Sequence, residues 1–455
     1  MTLSRRTFLR TGTVASSLLI LPRGLRAQSP SSPNERLQIA LIGVGGRGRV
    51  PLAALQAEQI VAFCDVDYER ARPVAAQDKK AKTALFDRFN GARWFHDYRL
   101  MFEQMSDQID AVVISVPDHM HYAIGMEAIR RRKHVYIEKP LCRCITEVRS
   151  LQAAAKKAGV VTQMGNQGRA AEGIRLAREW VQAGIIGNVH TVHAWTNHTN
   201  TLYSHEAYDD TAPAKVEDTP PSSLQYDLWQ GVAPERPYRR SRSHGQWRGY
   251  IDYGCGALGD WGCHQLDAAY YALDLGAPTS VEAAGTMEKK GTYPVSNALT
   301  YHFPARGTRR AVEIKWFDGG LFPPAPVEGF KFDVGGGSIF YGDKGIMWVG
   351  SHSGNARLLP ETWMQEVRGS LPAKSLPRVT GGPHIEWVNA IRSRGVCGSN
   401  FEYAAPLAEI ALLGVAAVRA RSRLEWDPVT ARVTNHAWAN KFIGPGYAYR
   451  AGWGV

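Results

Sequence analysis

Cysteine is scarce in this chain, with six in 455 residues. That is too few for a scaffold built on disulfides. Cys142-Arg-Cys144 is C-x-C, too close for a redox C-x-x-C motif. Beyond the first 27 residues there is no run of 18 apolar residues, so no membrane span is expected in the mature form. Blocks of like charge are also missing. The formal net charge is +12, yet no Lys/Arg run exceeds Arg130-Arg131-Arg132-Lys133. Five of the arginines (Arg5, Arg6, Arg10, Arg23, Arg26) fall in the first 27 residues, which hold no acid; removing them leaves +7. A scattered excess with no recognition motif argues against a nucleic-acid platform. There is no internal repeat.

What is present is a globular composition: 44% hydrophobic, 21% charged, with 13 Trp and 45 Gly. The length suggests two or three domains. Ser4-Arg5-Arg6-Thr7-Phe8-Leu9-Arg10, a short apolar run from Thr11 to Leu21 and the small Ala27 make a charged, an apolar and a cleavage region. Residues 1–27 look like a twin-arginine export signal, which predicts cleavage near Ala27 and a periplasmic location. Residues 28–36, rich in Ser and Pro, read as a linker.

The first half has a dinucleotide-binding pattern. Gln38–Val44 is a short, continuous apolar run, as a parallel strand buried on both faces requires. It enters Gly43-Val44-Gly45-Gly46-Arg47-Gly48, a G-x-G-x-x-G, followed by a helix-like segment over 47–57. The first glycine allows the tight turn, the second lets backbone approach a pyrophosphate, and the third lets helix and strand pack closely. A second apolar run, Ile60–Cys64, ends at Asp65, 22 residues beyond Gly43. An acid there would accept hydrogen bonds from the ribose hydroxyls of NAD and repel the 2′-phosphate of NADP, unless Arg47 or Arg70 compensates. Further runs at Ala111–Val116, His134–Ile137 and Val160–Met164 alternate with helical stretches, predicting a doubly wound parallel sheet with its ligand at the C-terminal strand edge. Ser115, Pro117, His121, Glu138, Lys139, Asn166 and Gln167 follow or end those strands and join the cofactor-side set. His119 and His121 lack a third ligand at metal spacing, so no metal is expected; His121 reads equally as a cap for the next helix.

The glycine turn, Pro117-Asp118-His119-Met120-His121 and Glu138-Lys139-Pro140 together resemble the glucose–fructose oxidoreductase / inositol dehydrogenase / rhizopine-catabolism (Gfo/Idh/MocA) family, over about 37–455. The resemblance implies a Rossmann domain over 37–166 and, over 167–455, an open, mainly antiparallel sheet domain for substrate and oligomerisation, with 404–455 packing back on the first. It implies that Lys139 is catalytic and that Asp260 and His264 form the family's Asp-x-x-x-His. Met164-Gly-Asn-Gln-Gly168, Trp195-Thr-Asn197 and the ending Tyr449-Arg-Ala-Gly-Trp453 look like an exported branch. Asp118 departs from the Asn usual after that proline, so it is assigned no nicotinamide contact.

The chemistry also follows from residue types. Asp260 and His264 are four apart, on one face of a helix. His264 can take a hydroxyl proton, Asp260 can orient the imidazole or bind a substrate hydroxyl, and Lys139 can stabilise a developing alkoxide. Glu138 is the expected partner of that lysine. Past Gly168, the irregular stretch Asn197–Tyr250 reads as a lid or substrate-binding insertion, and a series of strands then builds the second sheet. Trp195, Asn197, His198 and Trp261 are the substrate-side candidates, aromatic platforms and polar groups suited to a sugar.

The leading expectation is an NAD(P)-dependent oxidoreductase acting on a secondary hydroxyl of a sugar, with NAD preferred and tightly held. An NAD-dependent glycoside hydrolase would use the same Lys/His pair. A non-catalytic sugar or nucleotide sensor on the same fold would not need a proton relay. A homo-oligomer, dimer or tetramer, is expected through the second sheet.

Overall fold

In a computed structural model, residues 36–76, 85–197, 215, 218–287 and 289–454 are described. The export-signal reading, His198 and most of the linker lie outside them. Gln38–Val455 form one compact unit; of the other unit, Met1–Leu37, only Arg36 and Leu37 are described.

Two sheets organise the compact unit. The first has six parallel strands: β1 (Gln38–Ile42), β2 (Gln59–Cys64), β3 (Arg93–Phe95), β4 (Ala111–Ile114), β5 (His134–Ile137) and β6 (Thr162–Met164). Their order is β3-β2-β1-β4-β5-β6, with Ile39 beside Ala111 and Ala111 beside His134. Order reverses at β1, which opens a crevice at the C-terminal ends of β1 and β4. The central strands are buried along their length because helices cover both faces: Val112, Val113 and Val135 are all enclosed. The expected helices form at His121–Arg130 and Ile145–Ala158, and the stretch after the glycine turn is helical only over Arg49–Ala54.

The second sheet has nine strands, β7 (Val189–Trp195), β8 (Ser280–Gly285), β9 (Asn297–Phe303), β10 (Val312–Phe317), β11 (Gly337–Gly342), β12 (Ile346–Gly350), β13 (Ala356–Leu359), β14 (Leu424–Asp427) and β15 (Arg432–Val433). Their order is β13-β12-β11-β7-β10-β9-β8-β14-β15, and only β7 with β10 is parallel. This is the expected mainly antiparallel sheet, with Asp343-Lys344-Gly345 turning between β11 and β12. Alternation assigns its faces: Leu299, Tyr301 and Phe303 point to the core, while Ala298, Thr300 and His302 are half-exposed.

Helix Phe401–Ala420 runs through the centre. By length and apolarity it could cross a membrane, but here most of it is buried, packed against helices Ile145–Ala158 and Gly256–Gln265 and against β8. Its one deeply placed charge, Glu409, accepts two hydrogen bonds from Arg149, each 2.7 Å, and one from the Trp426 indole. This helix therefore joins both sheets to the element that carries Asp260 and His264.

Candidate active site

The glycine turn is set by close approach. Gly43 has φ +79°, donates its N–H to Cys64 O, and a Cβ there would lie 2.6 Å from Ser115 O. A Cβ on Gly48 would strike the Gly43 carbonyl. Asp65 binds the turn to β2: one carboxylate oxygen accepts from Val44 N–H (2.8 Å) and Gly45 N–H (3.1 Å), the other from Asp67 N–H (3.0 Å). A carboxylate has about four acceptor positions, so little more than one remains for a ribose hydroxyl. Burial raises the Asp65 pKa.

A cleft of about 330 Å³ opens beside the turn, lined by Gly43, Gly45, Gly46, Arg47, Asp65, Asp67, Ser115, Pro117, Asp118, Glu138 and Lys139, with Trp229, Trp247, Arg248 and Trp453 from later segments. Its residues suit a dinucleotide. The Gly43 cradle admits no side chain, and Ser115 Oγ is buried in the cleft wall with no partner among the described residues, leaving a donor and acceptor for a ligand.

Glu138 does not partner Lys139. Neighbouring residues at a strand end point to opposite sides. Glu138 turns to Arg47 (3.0 Å), and the Gln167 amide also faces that guanidinium, which takes Arg47 away from any 2′-phosphate. Lys139 turns the other way and pairs through Nζ with Asp260. Arg248 Nε lies 3.2 Å from the second oxygen of Asp260. One carboxylate thus fixes two cations, one from each sheet's loops.

Asp260 and His264 share a face of helix Gly256–Gln265, but Asp260 is not the orienter of the imidazole. Its carboxylate oxygens are turned to Lys139 and Arg248, and His264 Nδ1 is buried without a hydrogen-bond partner among the described residues. The His264 ring is held by packing, 4.4 Å between centroids from His352 and 5.8 Å from Trp261. Burial first, then Lys139 and His352, push its pKa well below the usual imidazole value, so the ring is neutral at ordinary pH. Asp118 behaves oppositely. Burial and the nearby Asp260 raise it to about 7, with Arg248 and Lys139 pulling it down.

Other expected residues serve structure. Trp195 is fully buried and its indole N–H donates to Asp333 O (3.1 Å), so no face is left for a sugar. His121 bridges backbone carbonyls, Nδ1 at 2.7 Å from Pro140 and Nε2 at 2.9 Å from Val116; it braces the two cofactor-side loops from behind. His119 is likewise spent on Trp229 O. Asn166 is buried, donating to Asp267 (2.8 Å) and accepting from Ser399. Asn197 lies two residues beyond β7, with its side-chain oxygen buried and without a partner among the described residues. Trp261 is the substrate-side candidate that reaches His264, with ring centroids 5.8 Å apart.

Two residues of the site, Arg248 and His352, gave no usable signal. Arg248 comes from the aperiodic stretch before Tyr250. His352 follows β12 in a left-handed turn (φ +52°), its Nδ1 2.9 Å from Ser351 Oγ. Ser351 donates to Gly335 O, so its oxygen accepts the His352 proton. Asp118 was visible, but its environment was not.

Residues 37–166 match the family model for an oxidoreductase family with an NAD-binding Rossmann fold (Gfo/Idh/MocA), and residues 173–319 match that family's C-terminal alpha/beta domain. A levoglucosan dehydrogenase from Pseudarthrobacter phenanthrenivorans is 24% identical over 155 residues, 34% of this chain and 39% of that protein. A glycosyl hydrolase family 109 protein from Solibacter usitatus is 32% identical over 121 residues, 25% of this chain and 26% of that protein. These matches span about a quarter to two-fifths of each relative's length. In fold, the chain is similar to the WlbA dehydrogenase from Bordetella pertussis solved with NADH and UDP-GlcNAcA. The TM-score is 0.57 at 18% identity, over 86% of this chain and 99% of that one.

Proposed function

The chain belongs to the Gfo/Idh/MocA oxidoreductase family, and from that premise we propose that it oxidises or reduces a secondary hydroxyl of a sugar or sugar derivative with tightly held NAD. The observation that carries this reading is the pairing of Lys139, in the lining of the NAD cleft, with Asp260 on the helix that bears His264. Gly43, Gly45, Gly46, Ser115 and Pro117 would hold the dinucleotide. Bound nicotinamide supplies hydride acceptance and return. The chain does the rest. Lys139 presents a cation, aimed by Asp260, to the substrate oxygen as negative charge develops there. His264, kept neutral by its surroundings, takes the hydroxyl proton. Trp261 bounds the substrate side.

A second reading is supported by the resemblance to a glycosyl hydrolase family 109 protein. In it the substrate carbon is oxidised, the acidified neighbouring C–H is deprotonated, the aglycone leaves, water adds, and the carbonyl returns to an alcohol. No net redox change results, and the same lysine and imidazole serve both routes. Export through the leader and assembly through the half-exposed face of the second sheet belong to this proposal as well.

The test is to measure nucleotide released on denaturing the purified protein, then to assay sugars and chromogenic glycosides. NADH accumulation with free sugars supports dehydrogenation; aglycone release without it selects hydrolysis. Lys139→Ala should lower either rate by about 100-fold or more while leaving NAD bound. No binding of NAD, or an undiminished rate in that variant, overturns the proposal.

A further inference from the structure

The chain ends in a strap that the chemistry above does not use. From residue 445 to 453 it is fastened at intervals of one or two residues. Arg143, fully buried, donates to Pro445 O and lies 4.3 Å from the Tyr447 ring centre. The Tyr447 hydroxyl donates to Asp252 O (2.8 Å) and that of Tyr449 to Glu147 (2.6 Å). Arg450 reaches Gly231 O (2.8 Å) and both the carboxylate and the carbonyl of Asp227 (2.6 and 2.7 Å). Arg99, itself held by Asp97, donates to Gly452 O (3.2 Å), and its guanidinium lies over the Trp453 ring at 4.1 Å.

These anchors carry Trp453 into the wall of the dinucleotide cleft, where it is almost wholly buried. The strand order says which end it closes. Tyr98 and Arg99 follow β3, and Asp65 follows β2, whereas Lys139 follows β5. Three strand spacings separate β2 from β5, about 14 Å across the sheet. Trp453 is therefore at the ribose-acid end, opposite the reacting end. The segment 226–248 brings Leu228, Trp229 and His244 into the lining of the same cleft, and His244 reaches the ribose-acid end, with Nε2 3.1 Å from Asp67. The surfaces that meet here are aromatic and apolar with acids beside them, the chemistry of an adenine ring and a ribose diol.

We propose that residues 445–454, clasped against segment 226–248, complete the NAD site at its adenosine end and make the bound dinucleotide nearly non-exchanging, Trp453 being the closing side chain. This rests on the NAD reading above. Arg450 and Trp453 are then cofactor-retaining residues rather than surface decoration. The dinucleotide enters or leaves only when the strap is lifted from Asp227 and Arg99.

The experiment uses the full chain loaded with NAD and follows exchange against a fluorescent etheno-adenine NAD. Trp453→Ala and Arg450→Gln should each speed release at least about tenfold, because losses at a binding surface fall mainly on the off-rate. Trp453→Phe should restore most of the retention. Thermal unfolding with saturating NAD shows that each variant is folded. Exchange in Trp453→Ala and Arg450→Gln at the wild-type rate overturns the clasp while leaving the NAD reading intact. A wild-type protein that takes up no NAD at all overturns the NAD reading itself.

Discussion

Asp118 shows how a single side chain departs from its type. Its carboxyl is enclosed beside Asp260, and burial carries its pKa from 3.8 to about 7. The folded state therefore holds this proton longer than the unfolded chain does. Linkage gives the sign: the contribution to stability is largest at low pH and is lost as pH rises from 3.8 to about 7. Asp118→Asn removes that loss. Its thermal midpoint should exceed that of the wild type at pH 8, with the gap closing toward pH 4; a constant gap would show that Asp118 is not the titrating group. At this scale the motifs were legible, since Lys139, Asp260 and His264 converge on one region. Their partners were not. Glu138 precedes Lys139 in sequence, yet strand alternation sends it to Arg47, and the residue that aims the lysine is 121 positions away.

Among elements, the glycine turn was read most completely, because Gly43 and Gly48 answer to steric demands that spacing reveals. Gly48 faces the Gly43 carbonyl with no room for a methyl group. Gly48→Ala should weaken NAD binding by about 100-fold or more, since the turn must open and the backbone cradle is lost; calorimetric titration with NAD checks it. Affinity equal to the wild type would mean that the turn can shift without cost. Short strands were the least legible elements. Arg93–Phe95 and Arg432–Val433 are three and two residues long, too short to show a period of two. Trp195 was misread for a related reason: a strand end looks the same whether its aromatic faces a ligand or the core.

Across the whole molecule, the decisive contact lies between helix Phe401–Ala420 and the elements around it. Gly414 lies where that helix meets Tyr301 of β9 and Leu258 of helix Gly256–Gln265, and a Cβ there would collide with both side chains. Gly414→Ala should cost about 2 kcal/mol by overpacking, read as a lower midpoint in denaturant. An unchanged midpoint would mean that the three elements have slack where they meet. Because this helix also packs on Ile145–Ala158 of the first sheet, strain there should be felt by both halves at once.

The sequence by itself determined the doubly wound sheet, the glycine turn, the mainly antiparallel second sheet and the four-residue spacing that puts Asp260 and His264 on one helix face. Those features depend on local period and on residues a few positions apart, which one chain displays. Only the tertiary structure decided that Asp260 pairs with Lys139 and Arg248, that His352 stands against His264, and that the last residues reach the NAD cleft. Each of these is a meeting of side chains more than 80 positions apart or from an aperiodic segment. Such meetings are set by how elements pack, and neither spacing nor composition records that.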